Sequence, residues 1–100
     1  MTVLDHEPGG WFLLKDGQAY VFNTVVDVGH VFTSFTLVMT PEEVNAFEAH
    51  GREDLNRLCD HVQRNYRDFF DRNTESRPIA HTVTAAIAEW NAANRPELVP

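Results

Sequence analysis

The sequence predicts an α+β domain, a three- to four-stranded antiparallel meander followed by two or three helices packed on one face of the sheet. Three observations carry that expectation. Within residues 11–39 an apolar run and two stretches of period-two alternation are separated by turn signals, of which Asp16-Gly17 is a strong hairpin signal. Thr40-Pro41-Glu42-Glu43 is a complete helix start. Beyond Gly51 the apolar residues recur at intervals of three and four, the period of a helix with one buried stripe.

Taken in order, Met1 to Gly10 reads as a loose lead-in, with Pro8-Gly9-Gly10 as a turn. Trp11-Phe12-Leu13-Leu14 is a continuous apolar run, as in a strand buried on both faces or one that starts a sheet. Gln18 to Thr24 is its hairpin partner, with Tyr20 and Phe22 on one side and Ala19 and Val21 on the other. Val25-Val26 extends that strand, and Asp27 to Gly29 makes the next turn or a bulge. Val31 to Met39 has the clearest alternation. Val31, Phe35, Leu37 and Met39 share one face with Thr33, and Phe32, Ser34, Thr36 and Val38 form a more polar one. A sheet with one polar face is expected to carry helices on the other face only.

Thr40 is the expected N-cap of the first helix, Pro41 fits its first position, Glu43 completes a capping box and Gly51 ends it. Arg52 to about Asp71 then reads as one long amphipathic helix on Leu55, Leu58, Cys59, Val62, Tyr66, Phe69 and Phe70. Asp71 to Arg77 is a polar connection. Pro78 to Asn94 is a third helix with Ile79, Val83, Ala86, Ile87 and Trp90 on one face. Its start is marked by Ser76, Pro78 or Thr82, Arg95-Pro96 stops it, and a loose tail runs to Pro100.

Composition sets the class. The chain has 100 residues, 43% of them hydrophobic and 23% charged. That is the profile of one globular domain spanning 1–100, large enough for its own core. No apolar run reaches the ~18 residues of a membrane helix, and the acidic N-terminus is unlike a signal peptide. With the single Cys59, these features predict a cytoplasmic protein. The net charge of −7 is uneven. Residues 1–50 hold seven acids against one base, Lys15, whereas residues 51–100 hold eight acids against seven arginines. Such a surface is wrong for phosphate backbones, so nucleic acid is not an expected direct partner, and it suits a basic protein.

The residues of catalysis are present but not in working patterns. The five histidines His6, His30, His50, His61 and His81 are scattered. No pair has the spacing of zinc ligands. Cys59 and His61 point about 200° apart on a helix, and Cys59 falls on the apolar stripe. Ser34 and Ser76 lack a nucleophile elbow. Glu42-Glu43 and Glu53-Asp54 lie in first turns, where acids stabilise helices. The expectation is therefore no catalytic residue, no metal and no cofactor. Aromatics are more promising. Phe32 falls on the less apolar sheet face. Adjacent Phe69 and Phe70, in Tyr66-Arg67-Asp68-Phe69-Phe70, cannot both point squarely inward.

The hairpin WFLLKDGQAYVFN, the segment FTSFTLVMTPEEVNAFEAHG and the helix GREDLNRLCDHV resemble small immunity proteins of bacterial polymorphic-toxin systems. The resemblance ends before Arg77. It implies an acidic, cytoplasmic, non-catalytic protein that binds and neutralises a toxin domain by charge complementarity. The expected partner-binding residues are Asp27, Glu42, Glu43 and Glu48 as steering charges, and Phe32, Tyr66 and Phe69 as aromatic anchors. The alternative is a small oligomeric regulatory or ligand-binding domain whose pocket uses Tyr20, His30 or Tyr66. Open sheet edges and the long second helix also point to a possible homodimer.

Overall fold

The computed structural model describes residues 1–8, 10–73 and 78–93. It is an α+β fold. Four strands, β1 (Thr2–Glu7), β2 (Trp11–Asp16), β3 (Ala19–Val28) and β4 (Val31–Val38), form an antiparallel meander in the order β1-β2-β3-β4. Helices α1 (Pro41–His50) and α2 (Arg52–Arg64), a 3-10 segment (Tyr66–Arg72) and helix α3 (Pro78–Ala93) follow.

The local chemistry explains most element boundaries. Gly17 has φ +60°, and the pairing of Asp16 with Ala19 makes Gly17-Gln18 a two-residue loop with glycine first, the pattern of a type II′ turn. The β3–β4 loop is Gly29-His30, and both residues have positive φ, as a type I′ turn requires. Thr40 Oγ1 accepts the Glu43 N–H (3.2 Å) and Glu43 Oε1 accepts the Thr40 N–H (2.8 Å), closing the expected capping box. Gly51, at φ 70° and ψ −147°, joins α1 to α2 as a single-residue corner.

Three expectations change. The lead-in is a strand: β1 pairs with β2 through Thr2–Lys15 and Glu7–Trp11. A bulge between Val3 and Asp5 breaks the period-two pattern, which hides the strand in the sequence. With the extra residue, Val3 and His6 face one side, and Asp5 and Glu7 face Arg52 of α2, with nearest N–O separations of 3.3 and 2.6 Å. The long second helix stops at Arg64. Asn65 caps it: its backbone N–H (2.9 Å) and its Nδ2 (3.1 Å) both donate to the His61 carbonyl, its φ −122° and ψ 35° leave the helical conformation, and the chain continues as 3-10. Finally, α1, α2 and the 3-10 segment do share one face, but α3 lies on the other, where Val83 packs with Leu14 and Val21. The physical reason is the apolar pair Leu14–Val21, directly opposed across β2 and β3 on the second face and fully buried. The polarity of that face, read from β4, does not extend to β2.

On the first face the core has two parts. Trp11, Leu13, Phe22 and Met39 meet Leu55 and Cys59 of α2. Val26, Phe35 and Leu37 meet Val62 and Phe69. Polar groups inside are matched: Trp11 Nε1 donates to Asn56 Oδ1 (2.8 Å) and Thr24 Oγ1 to the Gly10 carbonyl (2.8 Å). The helix-start signals at Ser76 and the chain after Ala93, with its Arg95-Pro96 stop and tail, lie outside the described residues, as does Gly9 of the first turn.

Candidate functional site

β3 and β4 are longer than β2. Their pairing with each other continues to Val28–Val31, whereas the pairing of β2 with β3 stops at Trp11–Thr24. The hairpin from Val25 to Phe32 therefore extends past the rest of the sheet. Its side chains alternate between faces. Val25, Asp27 and Phe32 lie on the face that carries α3 farther along the sheet, and Val28 and Val31 lie on the opposite one. Phe32 is 78% exposed, Val31 64% and Val25 48%. Exposed single apolar residues are ordinary, but Val25 and Phe32 lie close on one face and make a small apolar patch, while Val31 is exposed on the other. Asp27 is the direct cross-strand neighbour of Phe32, and its Oδ1 accepts the His30 N–H (2.8 Å), which fixes the turn. An open hollow lined by Val25, Asp27, Phe32 and Gln63 borders the patch.

The expected site residues do not gather. Asp27 and Phe32 are together and exposed. Glu42 and Glu48 are exposed on α1, which starts beyond the far end of β4. The six steps of β4 from Phe32 to Val38 put about 20 Å between the two groups at ~3.3 Å per residue. Glu43 is not a free charge. Burial opposes its ionisation, but the Arg72 guanidinium (2.6 and 3.0 Å) and the Thr40 N–H hold its pKa below the ordinary 4.5. Arg72 also donates to the Val38 carbonyl (3.0 Å). Phe69 is only 6% exposed and belongs to the core, while its neighbour Phe70 is 49% exposed beside Phe35 and Tyr66. A 3-10 turn places successive side chains about 120° apart, so only one of the two faces inward. Tyr66 is half-buried and packs against the core, as Val28 does.

Val25 and Val31 are surface residues of the hairpin that sequence reasoning did not single out, whereas Phe70 is the outward member of the pair it flagged. The adjacent pair Val31-Phe32 held the signal, since neighbours on a strand must point to opposite faces.

Among the described residues, no group of three or more His, Cys, Asp or Glu has the geometry to hold a metal ion. Cys59 is buried with Sγ 3.4 Å from Thr24 Oγ1. His6 is held between the rings of Phe12 (4.5 Å) and Trp90 (4.6 Å). Tyr20, His30 and Tyr66 line separate surfaces. Tyr20 sits in an open hollow of about 410 Å³ with Lys15, Met39 and Glu48, Tyr66 sits in another beside Arg64 and Asp68, and His30 is at the turn. Among the described residues, no helix is long and apolar enough to cross a membrane.

No protein-family model, curated protein or solved structure matches the chain.

Proposed function

We propose that this is a non-catalytic binding protein that neutralises a basic protein partner, in the manner of an immunity protein acting on a bacterial toxin domain. The observation that carries the reading is the projecting hairpin, where Phe32 stands 78% exposed directly across from Asp27. An exposed aromatic beside a charge is the composition of an interface hot spot. The acidic chain, at −7, supplies long-range attraction for a cationic surface. The alternative, a ligand pocket lined by Tyr20, His30 or Tyr66, calls for a well-formed cavity, and the hollows beside Tyr20 and Tyr66 are open, which favours the binding reading.

A pull-down at low salt from the native source, with bound proteins identified by mass spectrometry, tests the reading. The expected result is one basic partner that is released by salt and retained poorly by Phe32→Ala. A partner retained equally by the variant, or an acidic partner, refutes it.

A further inference from the structure

The mode of engagement follows from how the hairpin is finished at its edges. β4 is an edge strand, and its outward peptide groups are covered from the 3-10 segment onward. Asn73 Oδ1 accepts the Thr36 N–H (3.0 Å), Asn73 Nδ2 donates to the Ser34 carbonyl (3.3 Å), and Arg72 donates to the Val38 carbonyl. On the other side, Gln63 Nε2 donates to the Val25 carbonyl (3.1 Å), where β3 has outrun β2. Peptide groups on one edge recur every second residue, so the next positions out are Phe32 on β4 and Asp27 on β3. Among the described residues neither peptide carries such a cap. The hairpin end therefore offers Phe32 and Val25 on one face, Val31 on the other beyond Val28, which packs against the core, and bare main chain on both edges.

We propose that the hairpin end, Asp27–Phe32, is a finger that enters a cleft of the basic partner, with Phe32 and Val31 each meeting one wall and the buried Val26, with Val28 packed on the core, anchoring its base. This rests on the binding reading above. A flat partner removes only one face from water and leaves the other apolar face wet, whereas walls on both sides desolvate Phe32, Val25 and Val31 together. Strand addition along β4 is the weaker fit, because Asn73 occupies the edge from Ser34 and leaves only the Phe32 peptide open beyond it. A second copy fits poorly too, since it sets one acidic chain against another with Asp27 at the tip. A cleft lined by lysine or arginine complements Asp27. The turn is already ordered: His30 is held at φ 70° with its N–H on Asp27, so the finger enters pre-shaped.

The test uses the full chain carrying a photoreactive phenylalanine analogue at position 25, at 31 or, as a reference on α1, at 42. Each is irradiated in a native-source lysate, and the attachment points are mapped by mass spectrometry. The expected result is attachment from positions 25 and 31 to one basic protein, at residues lining opposite walls of one cleft. Phe32→Ala, checked for an unchanged melting temperature, is expected to weaken binding of that purified protein more than ten-fold. Attachment from only one of positions 25 and 31 overturns the finger, as does attachment to a second copy. Attachment to a basic protein from position 42 alone overturns the finger and leaves the binding reading standing. Attachment from no position overturns both.

Discussion

Phe32 and Phe69 are the same side chain in opposite settings, and the contrast gives the first prediction. Phe69 is buried between Val62, Phe35 and Leu37, so Phe69→Ala leaves a cavity and is expected to cost about 3–5 kcal/mol. Phe32→Ala removes a side chain already in water and is expected to shift stability by no more than about 0.5 kcal/mol. Urea unfolding of the two variants checks the pair, and equal losses contradict the assignment of Phe32 to a binding surface. Gly51 isolates a backbone effect. A Cβ there meets nothing within 4 Å, yet φ 70° with ψ −147° is a conformation that only glycine adopts readily. Gly51→Ala is expected to cost about 1–3 kcal/mol through strain alone. A neutral Gly51→Ala, measured the same way, means that the α1–α2 corner relaxes without loss.

The 3-10 segment and Asn73, which caps its end, link three separate parts of the fold. Phe69 fills the core, Arg72 ties Glu43 of α1 to the end of β4, and Asn73 covers the β4 edge. Asn73→Ala uncovers the Thr36 N–H and the Ser34 carbonyl. The expected cost is about 1–2 kcal/mol, together with concentration-dependent association seen by sedimentation, because an uncovered edge pairs with its like. The Glu43–Arg72 pair predicts acid sensitivity with a definite sign. The folded pKa of Glu43 lies below its ordinary 4.5, so its contribution to stability is full above that value and is lost as pH falls through the folded pKa. Glu43→Gln is therefore expected to flatten the stability curve below about pH 4.5, and a curve with the wild-type slope there contradicts it. Elements specified by adjacent residues were legible in the sequence. Thr40 to Glu43 specified the start of α1, and Gly51 its end. Elements bounded by one residue's backbone conformation were not. α2 ends where Asn65 leaves the helical conformation and its side chain adds a second bond to the His61 carbonyl, a choice invisible in the apolar stripe that runs on to Phe70. The cover from Asn73 depends on that break, so it was equally hidden. β1 was lost to its bulge, although Asp5 and Glu7 beside Val3 and His6 make a regular strand once one residue is skipped.

At the scale of the whole molecule, helices lie on both sides of the sheet, and the hairpin end projects beyond their cover. The two-sided cover was foreshadowed by the run Leu13-Leu14, whose members must face opposite ways, but β4 alone suggested one polar face. The candidate site was half legible. Asp27 and Phe32 lay in the sequence as an acid and an aromatic, and only the register showed that they oppose each other. The acids on α1 were grouped with them by charge and are separated from them by the length of β4. That separation yields the last prediction. At physiological ionic strength fields decay over about 8 Å, so a charge about 20 Å from the contact is largely screened. Against the basic partner, Asp27→Lys is expected to lower the association rate several-fold at both low and physiological salt. Glu42→Lys and Glu48→Lys are expected to do so at low salt only, and dissociation rates change little for the two α1 variants. Stopped-flow association with the purified partner at two salt concentrations separates the cases. If Glu48→Lys slows association as much as Asp27→Lys does at physiological salt, the partner contacts α1 rather than the hairpin, and the site moves to the opposite end of the sheet.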